Sequence, residues 1–282
     1  MSRIIITGAN SGIGLATAKF LAENHQLIWL CRSTSKAEVA RKKITDTLPD
    51  ANIDIIECDL SSQSSIESAS QKIYERYDSI DVLINNAGFM GYPKRTETPE
   101  GIEATIATNH LGPLLLTLLI KNLLKNARNG GRVINVNSYM HRHGKLDWEN
   151  VQLEENYRPM KAYALSKLMA LTISNKLSEL LKDDKISVNS IDPGMVYTGI
   201  DRTYSNWFQM MYRLGKPFMK SAEKGAETSI YLAEEEQGLN ATGELFKDKK
   251  TIKPSSKTTD RNLQNQIWEW SLKKLQTKTS LL

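Results

Sequence analysis

The fold of this chain is decided by the stretch Ile4-Ile5-Ile6-Thr7-Gly8-Ala9-Asn10-Ser11-Gly12-Ile13-Gly14. Its three consecutive isoleucines predict a short buried strand, and the apolar residues at 15–21 predict a helix. Glycines between a strand and a helix allow a tight turn and let a pyrophosphate approach the backbone, while the helix offers free N–H groups. We therefore expect a dinucleotide cofactor here rather than a plain loop. The expected contacts are Gly8, Asn10, Ser11, Gly12, Ile13 and Gly14.

Strands and helices alternate along the chain to about residue 191. Apolar runs predict strands at residues 27–30, 53–56, 82–84, 133–136 and 186–191, and periodic segments between them predict helices. One long helix is expected over residues 101–125. Alternation of this kind implies right-handed crossovers. We expect an α/β fold in one domain, with a doubly wound parallel sheet of about seven strands and helices on both faces.

The residues after each strand are informative, because the ligand of a doubly wound sheet lies at the carboxyl ends of its strands. Arg32 follows the second strand, and no carboxylate lies near it in the sequence. An arginine here suits the extra phosphate of NADP, whereas NAD binding usually needs an acidic residue for the ribose. An ordinary surface arginine is the alternative. Asp59 and Leu60 follow the third strand, where the carboxylate can face the adenine amino group or cap a helix. Asn85 and Ala87 follow the fourth strand, where a simple turn is the alternative to cofactor contact.

A predicted helix at residues 163–181 places Tyr163 and Lys167 on one face, because they lie four positions apart. A lysine cation beside a phenol favours the phenolate and lowers the tyrosine pKa from its usual value of about 10. Such a tyrosine can act as a general acid or base near neutral pH. Taken alone, the pair also fits an ordinary solvated helix.

Composition limits the classes of function. The 282 residues are 40% hydrophobic and 24% charged, as in soluble globular proteins. A net charge of +5, from 37 basic and 32 acidic residues, favours a solvated surface over a nucleic-acid partner. Cys31 and Cys58 each end a predicted strand and favour a reducing, cytoplasmic location over a disulfide framework. The first strand begins almost at Met1, so we expect no targeting segment, and no apolar run is long enough to span a bilayer.

Together these motifs resemble the short-chain dehydrogenase/reductase family, whose fold is of the Rossmann type. The matching residues occur in the family order: the turn at 7–14, residues 85–88, Asn109, Ser138, Tyr163 with Lys167, and residues 193–198. The finer resemblance is to the retinol-dehydrogenase-like subset. It rests on Cys31-Arg32, on residues 109–112, on a long spacer between Ser138 and Tyr163, and on tail motifs at 243–246 and 268–271.

The resemblance implies a mechanism. Tyr163 would exchange a proton with the substrate oxygen while a hydride passes to or from the nicotinamide. Lys167 would hold the nicotinamide ribose, so that both residues also belong to the cofactor site. Ser138, just past the fifth strand, would hydrogen-bond the substrate oxygen; a helix or turn cap is the alternative. Asn109 would hold a water that links Lys167 to solvent.

The sequence supports the water at Asn109 separately. Pro113 has no N–H, so the Asn109 carbonyl, four residues earlier, loses its helical partner and needs a water or a side chain. A merely kinked buried helix is the alternative.

The last part of the site follows the sixth strand, where Val196 and Thr198 would contact the carboxamide and the phosphates. The resemblance makes the aromatic and methionine-rich residues 199–220 a substrate lid, which suggests a bulky apolar substrate; core packing and peripheral membrane contact are alternatives. Residues 139–159 would form a second wall, and residues 247–282 a C-terminal extension. His141 and His143 lack a completing cysteine or carboxylate cluster, so we expect no metal.

Three departures from the family pattern stand out. Ser11 replaces a basic residue that is common in NADP-dependent relatives, and Asn137 replaces a common serine. We expect no hydrophobic N-terminal anchor like that of many retinol dehydrogenases, and this expectation argues against retinoid substrates.

The expected protein is an NADP(H)-dependent oxidoreductase that interconverts a carbonyl and an alcohol of a small-molecule substrate, with NAD(H) the less favoured cofactor. The alternatives are reduction of an activated carbon–carbon double bond and a cofactor-sensing binding protein without turnover. A homodimer is compatible with this expectation.

Overall fold

The computed structural model describes residues 1–196 and 219–275, and eight strands in these ranges form one sheet. The strands are β1 (Arg3–Thr7), β2 (Gln26–Cys31), β3 (Ile53–Glu57), β4 (Val82–Asn85), β5 (Gly131–Val136), β6 (Ile186–Ile191), β7 (Leu245–Lys247) and β8 (Lys250–Ile252). Their order across the sheet is β3-β2-β1-β4-β5-β6-β7-β8. Strands β1 to β7 pair in parallel, which confirms the doubly wound parallel sheet.

Helices cover both faces of this sheet. They are α1 (Gly12–Leu21), α2 (Thr34–Thr45), α3 (Gln63–Arg76), α4 (Ala104–Ile106), α5 (Gly112–Leu119), α6 (Lys121–Lys125), α7 (Pro159–Leu180), α8 (Ala222–Glu234), α9 (Gln237–Asn240) and α10 (Arg261–Lys274). Successive residues of a strand face opposite sides. Ile5 therefore packs in a core with α3, α5, α7 and α10, whereas Ile4 and Ile6 pack in a second core with α1, α2 and α8.

The prediction of a single helix over residues 101–125 is wrong. The structure divides this segment into α4, a π-helical turn at Ala107–Leu111, α5 and α6. At the end of the π-helical turn, the Gly112 N–H bonds to the carbonyl five residues back rather than four. The missing N–H of Pro113 gives the physical reason, because no ordinary helical bond to the Asn109 carbonyl can form there.

Two strands, β7 and β8, were not located from the sequence. β8 runs antiparallel to β7, and the two are joined by Asp248 and Lys249, whose φ angles of 51° and 63° are both left-handed. Two left-handed residues are the geometry of a tight hairpin turn, which usually carries Asn-Gly or Asp-Gly. The pair Asp-Lys is not such a signal, so the hairpin left no mark in the sequence.

Candidate active site

The residues expected to form the site follow successive parallel strands and therefore meet at one edge of the sheet. The glycine-rich turn follows β1, Arg32 follows β2, and Asp59 follows β3. Asn85 is the last residue of β4, Ala87 comes just after that strand, and Ser138 follows β5. The helix α7 brings Tyr163 and Lys167 to the same edge, because the Lys167 ammonium donates to the carbonyl of the last β5 residue.

The turn after β1 has the geometry that a pyrophosphate needs. Gly8 (φ 66°) and Gly12 (φ 55°) are left-handed, a conformation that favours glycine. A Cβ atom on Gly14 would lie 2.5 Å from the Gly8 carbonyl oxygen, so α1 can approach the turn only with glycine there. Ser11 precedes α1 without capping it through its side chain, and the first turn of α1 has no acidic residue. The free N–H groups of α1 thus suit an anionic ligand, and the turn fits a dinucleotide.

Asn86 links this turn to the end of β4, a role that the sequence did not reveal. Its side-chain Nδ2 donates to the Thr7 carbonyl at 2.8 Å. The Thr7 hydroxyl in return accepts from the backbone N–H groups of Asn86 (3.0 Å) and Ala87 (2.9 Å). Asn85, by contrast, turns its side chain inward and donates to Thr117 and Asn135. The two asparagines therefore support the site from different sides of the strand.

Arg32 is exposed and makes no side-chain hydrogen bond or ion pair with any described residue, so its guanidinium is available to a ligand. It precedes α2, whose first turn is capped by the Ser33 hydroxyl. The first turn of α2 carries Lys36 and no acidic residue. This end of β2 is therefore positively charged, as a 2′-phosphate would require.

Instead of capping α3, whose N-cap is Ser62, Asp59 forms a local turn with Ser61. Its Oδ1 accepts from the Ser61 N–H at 2.9 Å and from the Ser61 hydroxyl at 2.7 Å. The next residue, Leu60, is buried, and a Cβ atom on Gly112 would lie 2.2 Å from its carbonyl oxygen. The loop after β3 is thus packed tightly against the start of α5.

Tyr163 and Lys167 lie one helical turn apart on α7, with the Lys167 Nζ 5.7 Å from the centre of the Tyr163 ring. The same Nζ donates to the Val136 carbonyl at 2.9 Å. Lys167 is 4% exposed and has no ion pair among the described residues. Burial lowers the pKa of Lys167 to about 8. The ammonium is therefore charged near neutral pH and unshielded by a carboxylate, which favours a phenolate beside it.

Ser138 lies two residues beyond the end of β5. Its hydroxyl oxygen accepts a long bond from the Met140 N–H at 3.3 Å, so it caps the 3₁₀ helix Tyr139–His143. Its own N–H donates to Asn137 Oδ1 at 2.8 Å. Because the hydroxyl acts only as an acceptor in these contacts, its hydrogen can be donated to a substrate oxygen.

The Asn109 side chain is fully used in holding the site together. Its Oδ1 accepts from the Phe89 N–H (2.8 Å), and its Nδ2 donates to the Phe89 carbonyl (2.7 Å) and to the Ser166 hydroxyl (3.0 Å). Ser166 then donates to the Tyr163 carbonyl at 2.8 Å. Asn109 therefore connects the π-helical turn to α7 beside the tyrosine, and any water must bind its main chain.

A cavity of about 30 Å³ adjoins Lys167, Asn109 and Pro113. One water occupies roughly 10–15 Å³ on this measure, so there is room for two. Three residues that line the cavity carry a buried polar atom without a partner among the described protein atoms: Asn85 Oδ1, His110 Nδ1 and Asn137 Nδ2. A polar cavity of this size fits water next to the lysine.

Val196 packs at the start of α1. It pairs with Lys220 in a short β-bridge, and a Cβ atom on Gly225 would lie 2.8 Å from Val196 and 3.2 Å from Ile13. Thr198 and residues 199–218 of the expected lid lie outside the described residues.

The described ranges contain no cluster of three or more metal-binding side chains and no helix that is long and apolar enough to cross a membrane. Of the two histidines after Ser138, His141 is buried against the Ser138 carbonyl. His143 is exposed beside the Tyr139 ring.

The chain is similar in sequence and in fold to known dehydrogenases. A family model described as short chain dehydrogenase matches residues 2–209. Retinol dehydrogenase 12 of Mus musculus is 32% identical over 269 residues, which covers 95% of this chain and 84% of that protein. Short-chain dehydrogenase TIC 32 A, chloroplastic, of Brassica napus is 33% identical over 279 residues, covering 95% and 87%. A short chain dehydrogenase from Escherichia coli CFT073, complexed with NADPH, has a TM-score of 0.69 at 19% identity and covers 88% of this chain and 97% of that one.

Proposed function

Because the chain belongs to the short-chain dehydrogenase family, we propose that it is an NADP(H)-dependent oxidoreductase that interconverts a carbonyl and an alcohol. The observation that carries the proposal is the buried Lys167 ammonium, 5.7 Å from the Tyr163 ring centre. A buried cation without a carboxylate is costly, and such groups are typical of functional sites. Beside the Tyr163 phenol, this charge stabilises the phenolate form of the tyrosine.

When bound, the cofactor would supply the hydride for reduction of the carbonyl carbon, and this chain supplies the proton and the charge. The Tyr163 hydroxyl donates its proton to the substrate oxygen. The Ser138 hydroxyl donates a hydrogen bond to that oxygen and stabilises the negative charge that develops there. Lys167 favours the phenolate that Tyr163 leaves behind. In oxidation the same groups act in reverse, with Tyr163 as the base.

The cavity behind Lys167 provides a route for the next proton. In our proposal, water there accepts from the Lys167 ammonium and bonds to the main chain of Asn109. The Asn109 side chain, tied to Phe89 and Ser166, keeps that main chain in place. Tyr163 can then be reprotonated without opening the site.

NADP(H) is the proposed cofactor because Arg32 and Lys36 flank the start of α2, where the 2′-phosphate of the cofactor would lie. The NADPH complex of the structural relative from Escherichia coli supports this choice. Asp59 is proposed to reach the adenine with its second oxygen, since its first is engaged by Ser61.

The substrate is proposed to be bulky and apolar. Tyr139 (54% exposed) and Met195 (69% exposed) follow β5 and β6 at the cofactor edge and offer large apolar surfaces to a ligand. The similarity to a retinol dehydrogenase agrees with an apolar aldehyde or alcohol.

A substrate panel tests the proposed function. NADPH consumption is followed at fixed enzyme concentration against short aliphatic, long aliphatic and aromatic aldehydes and ketones, with NADH in parallel. We expect turnover with NADPH that increases with the apolar size of the carbonyl compound. Binding of NADPH without consumption across the panel would contradict the proposal and leave a binding protein.

A cytoplasmic location and a homodimer are also proposals. The first rests on the free, buried thiols of Cys31 and Cys58, which fit a reducing compartment. Imaging of a fluorescent fusion tests it, and accumulation in an organelle, such as the plastid of the Brassica relative, would contradict it. Sedimentation equilibrium tests the dimer.

A further inference from the structure

His141 connects the main chain of Ser138 to the C-terminal part of the chain. It lies in the 3₁₀ helix after Ser138 and is 1% exposed. Its backbone N–H and its ring Nδ1 both contact the Ser138 carbonyl oxygen, at 3.1 Å and 2.8 Å. On the other side of the ring, the Ser255 N–H donates to Nε2 at 3.3 Å.

These two partners define the state of the ring. A carbonyl oxygen only accepts, so Nδ1 carries the hydrogen, and the Ser255 N–H only donates, so Nε2 offers its lone pair. The ring is therefore neutral, with both nitrogens in use. Burial lowers the pKa of His141, in agreement with a neutral ring.

Further bonds hold the C-terminal segment 253–257 against the same 3₁₀ helix. Arg142 donates to the Lys253 carbonyl at 2.5 Å, and Lys257 donates to the Gly144 carbonyl at 3.3 Å. Gly144 is in turn wedged against α7, because a Cβ atom there would lie 2.7 Å from the carbonyl oxygen of Ala164, the residue after Tyr163. The 3₁₀ helix is thus held between the segment and the helix of the catalytic tyrosine.

We propose that residues 253–257 act through His141 to hold Ser138 in its reactive position, which makes His141 a positioning residue. This inference rests on the proposed function, in which the Ser138 hydroxyl donates to the substrate oxygen. Without the Ser255 bond, the His141 ring is held by hydrogen bonding on one side only, and the Ser138 carbonyl can rotate with it. A displacement of a reacting group by about 1 Å can cost roughly a hundredfold in rate.

Ser255 offers a matched pair of variants. Its φ of −65° is already that of proline, so Ser255→Pro removes the donor N–H with little strain. Ser255→Ala keeps the N–H and removes only a hydroxyl that caps nothing. With NADPH and an aromatic aldehyde as probe, we expect Ser255→Pro to lower kcat about tenfold at unchanged NADPH affinity, and Ser255→Ala to match the wild type.

A double-mutant cycle ties the effect to His141. In His141→Asn the amide Nδ2 replaces the Nδ1 donor, while the acceptor for Ser255 is lost. His141→Asn and Ser255→Pro therefore break the same bond, and the double variant should be no slower than either single variant. His141→Leu, which also loses the bond to Ser138, should be slower by a further factor of about ten. Additive effects of His141→Asn and Ser255→Pro, or equal rates for Ser255→Pro and Ser255→Ala, would overturn the proposal.

Hydrogen exchange separates this proposal from the proposed function, since it needs no substrate. Peptides that cover residues 138–144 should exchange faster in Ser255→Pro than in Ser255→Ala. If the wild type consumed no NADPH, faster exchange would still support the link between the segment and Ser138. Equal exchange in the two variants would overturn it.

Discussion

The Lys167 ammonium lies 5.7 Å from the centre of the Tyr163 ring and is anchored on the strand that ends beside Ser138. This arrangement joins three elements: α7 supplies the phenol and the cation, β5 supplies the acceptor carbonyl, and the residues after β5 supply the hydroxyl. The lysine is charged and buried at once, so it costs stability and favours a phenolate.

Lys167→Met should stabilise the protein while abolishing turnover. Burial lowers the pKa of Lys167 from 10.5 to about 8, so the folded state disfavours the charged form. At pH 7 the apolar variant should gain about 2 kcal/mol in unfolding free energy, after allowance for the lost bond to Val136. This gain should shrink as pH rises toward 10.5, where the unfolded chain also loses the proton. Urea unfolding at pH 7 and pH 10 measures it, and lower stability at pH 7 would contradict this account.

His110 should make the protein sensitive to acid. It is fully buried, its Nε2 lies 2.7 Å from the Ser271 hydroxyl, and burial lowers its pKa to about 3. Below pH 6.5 His110 takes up a proton in the unfolded chain but not in the folded one. The unfolding free energy therefore decreases as the pH is lowered. His110→Gln keeps an ε-position donor and cannot titrate.

The comparison is made by urea unfolding at pH 7.5 and pH 4.5. We expect the wild type to lose about 2 kcal/mol more than His110→Gln over this range. His143→Gln, at an exposed ring, serves as the control and should behave as the wild type does. An equal loss in wild type and His110→Gln would exclude His110 as the source.

Gly14→Ala should weaken cofactor binding. The new Cβ would lie 2.4 Å from Asn86 Nδ2 and 2.5 Å from the Gly8 carbonyl oxygen, so the turn must move. NADPH affinity, measured by fluorescence titration, should fall at least about tenfold, and stability should fall by about 1–3 kcal/mol. Gly101→Ala is the control, because nothing lies within 4 Å of its Cβ and only its φ of 70° is penalised. Unchanged NADPH affinity in Gly14→Ala would remove the cofactor from this turn.

Arg32→Asp should shift cofactor preference toward NADH. The exposed guanidinium is replaced by a carboxylate that repels a 2′-phosphate and can accept from a ribose hydroxyl. The ratio of kcat/KM for NADPH to that for NADH should fall at least about tenfold. Lys43→Asp makes the same change of charge on the exposed surface of α2 and should leave the ratio near that of the wild type. Equal shifts in the two variants would point to net charge rather than a specific contact.

Local patterns predicted most of the fold and the positions of the site residues. The isoleucine run and the glycine turn placed β1 and α1, and the four-residue spacing placed Tyr163 above Lys167. Contacts between segments that are distant in the chain could not be predicted from local sequence patterns. Asn86 bonds to Thr7 across 79 positions, and Ser255 bonds to His141 across 114. The side-chain direction of Asn85 was missed for the same reason, since it depends on Thr117 in α5 and Asn135 in β5. The π-helical turn differs, because Pro113 indicated a lost helical bond in the sequence but not how the backbone accommodates that loss.

The central claim is that Tyr163 provides the proton. Its most direct test is single-turnover oxidation of NADPH by Tyr163→Phe with a carbonyl substrate from the panel, alongside NADPH affinity measured by fluorescence. We predict a rate at least about a hundredfold below that of the wild type, with NADPH affinity within about threefold. Near-normal hydride transfer in Tyr163→Phe would show that another group supplies the proton and would contradict the mechanism.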